Sequence, residues 1–343
     1  HRAAEIRELS FGDVVTPAFH DTGGADLAWD LLRSRDGSLW VATNGRGLLQ
    51  LRRTPFLPLG EVEGLSGEIT LALLQTREGD RWIGTAGAGL NRIDSSGRIT
   101  HFGTAAGLPG TILSLAQSAD GDVWVGSHNG SLTRFRSGRF TPVGEQLGVS
   151  HAIMAILPDA DGGLWLGTTG GVQYVRDGRV HRIRSDDGLA DDFVMTLHRS
   201  RGGDLWVGTR QGVSRIRDGR VQPTGVEADL AGVAVGAFHE PADGSIWAAT
   251  QGHGIARLAG GAVRFLNAQR GLCEDMIHAI VDGGDGGIWM SSNRGILRVS
   301  AAQVHAFFDG QADGVACQRF DRGEGMRSRE ANGGFMPASA RLH

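Results

Sequence analysis

The sequence predicts an all-β fold: a seven-bladed β-propeller of four-stranded antiparallel blades, with partial blade strands at both ends. Three observations carry that expectation. Trp40, Trp82, Trp124, Trp165, Trp206, Trp247 and Trp289 follow one another at steps of 42, 42, 41, 41, 41 and 42 residues, so seven of the eight tryptophans share one frame. A period of this length with one tryptophan strand per copy marks a propeller blade rather than a helical solenoid. Glycines recur at equivalent places in each copy, DGSLWVATNGRG, DGDVWVGSHNG and DGGIWMSSNRG among them, and so read as turn positions. Both faces of the tryptophan strand are apolar and must therefore be covered.

Within one copy, Phe193 to Gly225, four segments alternate apolar and polar residues: FVMTLHRS, DLWVGT, GVSRIR and RVQPTG. RGGD, RQG and DG separate them as turns, giving antiparallel strands A to D. The A strand has its own frame. Nine residues before each Trp stand Leu31, Leu73, Leu115, Ile156, Leu197, Phe238 and Ile280, and twelve before stand Ala28, Thr70, Ile112, Ile153, Val194, Val235 and Ile277. All but Thr70 are apolar, which predicts a buried A strand in every copy. In the B strand, Leu205 and Val207 face one way and Trp206 and Gly208 the other. A large Trp beside a small residue suits close sheet-on-sheet packing, so the tryptophans read as structural and the Asp-Gly pairs as A–B turns rather than metal ligands.

The ends depart from the frame. Residues 1–24 resemble the outer strands of a blade whose Trp strand is missing, 25–300 hold the seven copies, and 301–343 read as a last outer strand, a long loop and the start of a further blade. Within that last part Ala301 to Phe308 suits a short helix and Val315 to Phe320 a D strand.

Composition narrows the function classes. All 34 basic side chains are Arg, and the formal charge of −4 offers no excess of positive charge to a phosphate backbone, which argues against nucleic acid. Cys273 and Cys317 form no CxxC and leave the redox compartment open. No apolar run reaches the ~20 residues of a membrane helix, and the chain opens without an initiator Met or signal peptide, as an excised or processed piece would. No GxSxG, HExxH or P-loop is present, and no cofactor or metal is expected.

The unit GLADDFVMTLHRSRGGDLWVGTRQGVSRI, Gly188 to Ile216, resembles the two-component regulator propeller repeat, and the likeness extends over about residues 25 to 340. Trp289 to Ile296 and Gly325 to Gly334 are similar to the late part of such arrays. The copy around Trp247 departs from the pattern, with Asp229-Leu230 for Gly-Leu and Ala248-Ala249 where Gly and a hydroxyl are expected. The resemblance implies a periplasmic or other extracytoplasmic sensor region of a membrane receptor, with a histidine kinase or diguanylate cyclase beyond the membrane. It leaves room for a dimer of the full receptor and for membrane contact only through parts of the chain outside this sequence.

Function is then expected in the loops on the face shared by the D–A and B–C connections, where variable residues collect. The B–C loops offer Asn44, Arg46, His128, Asn129, Arg210, Gln211, His253, Asn293 and Arg294. The D–A loops offer Glu68, His151, Asp191, Asp192, Glu274 and Asp275. The expected partner is a small molecule or saccharide, bound without being consumed. Arg46, Arg210 and Arg294 favour an anion, because a planar guanidinium fork matches a carboxylate or sulfate; Arg217 and Arg220, near the opposite C–D turn, should not matter to it. Two other classes stay open: a streptogramin-lyase-like metal-dependent enzyme using His128 and His253, and a protein-interaction scaffold.

Overall fold

A computed structural model describes residues 56–328, 330, 331, 333, 336 and 337, together with strand segments 4–5, 10–11, 14–15, 27–33, 39–43 and 47–51. The chain divides into two compact units, His1–Pro58 with Gly323–Met326, and Leu59–Arg322 with Arg327–His343.

The second unit is a β-propeller array of six blades, not seven. Each blade has four antiparallel strands in the order A-B-C-D, as in Val194–Arg199, Leu205–Thr209, Gly212–Arg217 and Arg220–Gln222 of the Trp206 blade. The copy carrying Trp40 folds differently. Its sheet runs Ala4–Glu5, Leu27–Arg33, Leu39–Thr43, Gly47–Leu51, so the fourth strand joins on the A side and, among the described residues, no D strand pairs with C. Ser10–Phe11 and Val14–Val15 form a separate two-stranded hairpin in the same unit. The expectation of a buried A strand fails here too, because Leu31 is 52% and Leu32 65% exposed. A strand's sequence pattern specifies two apolar faces; whether they are covered depends on which sheets lie beside it.

In the six-bladed unit, successive A strands touch one another from the Trp82 blade to the Trp289 blade, which makes A the inner strand. Among the described residues, five hydrophobic clusters lie between two blades, and a sixth, of Leu65, Ile83 and Ile93, lies within the Trp82 blade. Ala72, Trp82 and Leu90 meet Ile112, Leu115 and Val125 of the next blade, and Ala155, Trp165 and Val172 meet Val194, Leu197 and Val207. The A-strand frame also finds its explanation. Residues three apart should face opposite ways in a strand, yet Ile112 and Leu115 are both fully buried. A β-bulge between Ile112 and Ser114 inserts one extra residue and restores the common face, and the same register shift occurs in all six blades.

The B-strand glycine admits the neighbouring blade. A Cβ at Gly84 would stand 2.9 Å from Ile112 of the next A strand, and one at Gly167 would stand 2.7 Å from Val194. Ala249 holds this place in the Trp247 blade and packs with Ile277 of the blade after it. The Gly-Leu signature has a second origin. Gly64, Gly107, Gly188 and Gly271 end short 3-10 helices in the D–A connections with φ of 78–105°. Leu65, Leu108, Leu189 and Leu272, which follow them, are at most 5% exposed and anchor each connection to the core.

The array ends as the sequence suggests for α1, Ala301–Phe308, and for the last D strand, Cys317–Phe320. Trp247 packs against His305 and Phe308 of α1, at 5.0 and 5.2 Å. Cys273 and Cys317 form a disulfide that ties this D strand to the connection entering the same blade's A strand. The chain beyond then crosses the inner strands. Ala331 N donates to Ser292 O of the Trp289 blade, Met336 N to Met154 O, and Leu115 N and Leu73 N donate to Met336 O and Pro337 O. One segment thus engages the Trp289, Trp165, Trp124 and Trp82 blades. Arg327 pairs with Glu63 and, at 3.7 Å, with Glu68, both just ahead of the Trp82 blade, which links the two ends of the array.

Candidate functional site

The face expected to carry function is built on two repeated latches. The last residue of each B strand is a buried Thr or Ser whose hydroxyl donates to a carbonyl across the B–C turn: Thr85 to Gly89, Ser127 to Ser131, Thr168 to Gly171, Thr209 to Gly212, Thr250 to Gly254 and Ser292 to Gly295, at 2.8–3.0 Å. Thr250 does this in the divergent Trp247 copy, whose register is therefore intact. The second latch joins neighbours. Gly89 N, Gly171 N and Gly254 N donate to Gly110 O, Asp192 O and Asp275 O in the connection that leads to the next blade. The turn backbones are thereby held, while many of their side chains remain exposed.

Several candidates prove to be partly engaged in holding these loops. Asn129 Oδ1 lies 2.6 Å from Ser127 Oγ and accepts from Ser131 N at 3.1 Å, so its side chain closes its own turn. Asp192 accepts from Ser185 N at 2.7 Å, as Asp275 does from Ala268 N and Glu68 from Glu61 N, each capping a 3-10 helix. Glu274 accepts from Asp275 N and meets Arg294 Nε at 3.3 Å, which gives that guanidinium a carboxylate partner within the protein. Asn293 Oδ1 lies 2.7 Å from Nε2 of the buried His278. His151 adopts φ 71°, a conformation that favours glycine, and its ring packs beside Gly170.

The more open candidates are His128, Arg210, Gln211 and His253, all exposed. Arg210 lies over the Phe193 ring at 4.8 Å, which holds the guanidinium plane at the surface, and His253 lies 5.9 Å from Phe265. Asn44 and Arg46 fall outside the described residues. Among the described residues, no group of three or more His, Cys, Asp or Glu is placed to hold a metal ion.

The opposite face holds charge pairs that sequence reasoning missed. Asp80 meets Arg92 at 2.6 Å, Asp122 meets Arg136 at 2.5 Å, Asp243 meets Arg257 at 3.1 Å and Asp285 meets Arg298 at 3.2 Å. Arg217 grips the buried Asp204 with two bonds, at 2.5 and 2.8 Å, and the hydrogen bond to Asp204 raises its pKa. Removing Arg217 would leave that carboxylate without its main partner, so it cannot serve as a neutral control for ligand binding. For Arg92, Arg257 and Arg298 the signal was present, an Arg nine or ten residues after the tryptophan and directly across from it on the C strand, whereas Arg136 and Arg217 stand two residues further along that strand. Clefts of 340–680 Å³ lie between neighbouring blades on this side.

Residues 148–170 match the family model described as two component regulator propeller. Comparison with curated protein sequences found no match. Among solved structures, the chain is similar to the extracellular domain of a protein described as a hybrid two component system from B. thetaiotaomicron, with TM-score 0.73 and 19% identity over 90% of this chain and 42% of that one. It is also similar to the extracellular domain of one described as a one component system from the same organism, with TM-score 0.60 and 17% identity over 85% of this chain and 44% of the other. The chain thus spans less than half the length of either domain. A virginiamycin B lyase from Staphylococcus aureus aligns at TM-score 0.54 and 14% identity, over 73% of this chain and 84% of the lyase. At such identities the structural likenesses speak for the fold alone. Residues 148–170 thus carry a two-component regulator propeller repeat, and the copies around it share its tryptophan frame.

Proposed function

We propose that this chain is a non-catalytic sensing propeller from the extracytoplasmic part of a bacterial membrane receptor, and that it binds a small molecule or saccharide on the D–A and B–C face. The observation that carries the reading is the pairing of a locked turn backbone with exposed, blade-specific side chains on that face. A scaffold of this kind can hold a ligand without itself rearranging, and preorganisation of that sort favours affinity. The family match and the likeness to extracellular receptor domains support the sensor role. The Cys273–Cys317 disulfide suits an oxidising compartment outside the cytoplasm. No helix among the described residues is long and apolar enough to cross a membrane.

The chemistry of the ligand rests chiefly on Arg210. Arg294 already meets Glu274, so an anion would recruit it only by displacing that carboxylate. Arg210, fixed over Phe193, is the better anion anchor, with Gln211 beside it as a further donor and acceptor. Calorimetry with a panel of acidic sugars and organic acids tests this. Binding without turnover that is lost in Arg210→Ala is the expected result. A panel with no binder, or a ligand chemically altered on incubation, would refute the reading.

A further inference from the structure

We propose that the cleft between the Trp165 and Trp206 blades, on the side of the A–B and C–D turns, is a second binding site, and that it takes a neutral saccharide. It is independent of the site on the opposite face. The Trp165 blade departs from the repeat. In the other five blades the C-strand residue across from the tryptophan is an arginine: Arg92, Arg134, Arg215, Arg257 and Arg298. Here it is Tyr174, the only tyrosine in the chain, with its ring 4.4 Å from that of Trp165. Two residues before the tryptophan, where Asp80, Asp122 and Asp204 sit in other blades, stands Gly163, and a Cβ there would collide with the Tyr174 hydroxyl. Gly287 holds the same place in the Trp289 blade but faces Arg298 there, so the tyrosine is what sets this blade apart: the guanidinium across from the tryptophan has been exchanged for an aromatic wall.

The missing cation comes from the neighbouring blade. Arg199 of the next A strand lies 5.7 Å over Trp165 and meets Asp159 at 3.0 Å, while Asp159 also accepts from the Trp165 indole N–H at 3.0 Å. The cleft these residues line has a volume of about 580 Å³, within the roughly 300–1,000 Å³ of small-molecule sites.

Charge balance selects the ligand class. Of the four aspartates that line the cleft, Asp159 is matched by Arg199, Asp161 by Arg176 at 3.0 Å and Asp204 by Arg217 at 2.5 Å, and the fourth, Asp218, is exposed at the rim, where it further disfavours an anion. An anion would therefore have to compete with a carboxylate for each of these guanidiniums. Paired planar groups instead offer fixed acceptors and donors to hydroxyls, in the charge-assisted form that is strongest. The half-buried Tyr174 ring offers an apolar surface with a polar tip, which suits the C–H face of a pyranose ring. Exposed His181 stands at the rim as a further hydrogen-bonding group.

The test is titration calorimetry of the whole chain with cellotriose, maltotriose and mannotriose. At least one should bind with a dissociation constant of about 1 mM or tighter. Tyr174→Arg, which installs the residue used by the other five blades, should weaken that binding at least about tenfold while leaving the thermal melt cooperative. His181→Ala, at an exposed position, should weaken it without affecting folding, and Arg210→Ala on the other face should leave it unchanged. The absence of binding by all three sugars at about 10 mM would overturn the proposal. So would full affinity in a folded Tyr174→Arg and His181→Ala pair, or loss of binding in Arg210→Ala alone.

Discussion

Reduction of the Cys273–Cys317 disulfide should destabilise the last blade by an amount that its position in the chain sets. Most C–D connections in the array are tight, as at Asp177-Gly178 and Asp218-Gly219, where both turn residues have positive φ. The D strand of the Trp289 blade is instead reached only after α1 and the rest of residues 301–316. No short turn holds Cys317–Phe320 in register against the C strand, and the disulfide supplies the missing constraint. It closes a loop with a sequence separation of 44 residues. In the chain-entropy treatment, a crosslink over a loop of that length restricts the unfolded chain by about 4 kcal/mol. With a urea slope of about 2–3 kcal/mol per M, the midpoint should fall by about 1.5 M on adding reductant, and the Cys273→Ser/Cys317→Ser variant should match the reduced protein. Because each blade contacts chiefly its neighbours, the loss should appear first as proteolytic cleavage within residues 301–316. Equal midpoints with and without reductant would refute the reasoning, as would free thiols found by mass spectrometry in protein purified without reductant.

Two further expectations follow from burial. Trp82 is 1% exposed and packs against Phe135 of the next blade at 4.9 Å, so Trp82→Ala should cost about 3–5 kcal/mol in urea unfolding. Trp206 is half-buried, and its replacement by Ala should cost about half as much; equal losses at the two sites would contradict this. Burial also lowers the pKa of His239 below its ordinary value of 6.5, against an opposing pull from Asp282 and with smaller lowering effects of His198, His305 and Arg201. A depressed histidine contributes stability that is fully present above its unfolded pKa and is lost as pH falls through the folded value. The urea midpoint should therefore drop between about pH 7 and pH 5, and His239→Gln should reduce that slope. An unchanged slope would remove His239 from the account.

Much of the candidate site was legible only in outline. The sequence places Arg210, Gln211, His128 and His253 on exposed B–C turns because variable residues between invariant Gly and hydroxyl positions have no framework duty. It cannot tell them from Asn129, which has the same place in the repeat but closes its own turn. Nor does it reveal that Glu274 and Arg294 meet at 3.3 Å, since that contact joins loops about twenty residues apart. The pairs made by Arg92, Arg257 and Arg298 on the other face were recoverable from cross-strand register, as was the break in that rule at Tyr174.

What the sequence determined by itself was local and periodic. It specified the tryptophan frame, the small residue beside each B-strand tryptophan, the Gly-Leu connections and helix α1 at Ala301–Phe308. Each of these depends on residues close in the chain or on a pattern repeated often enough to be read against itself. The tertiary structure decided the number of blades. Trp40 and Leu31 obey the frame as well as any other copy does, yet their sheet takes its fourth strand from Ala4–Glu5 on the A side and leaves Leu31 52% exposed. Strand choice is a long-range pairing, and the period-two pattern of a strand contains no term for which chain segment will lie beside it. The same reason hid the disulfide. Cys273 and Cys317 are unremarkable in sequence and become partners only because the D strand returns, after a helix, to the connection where its blade began.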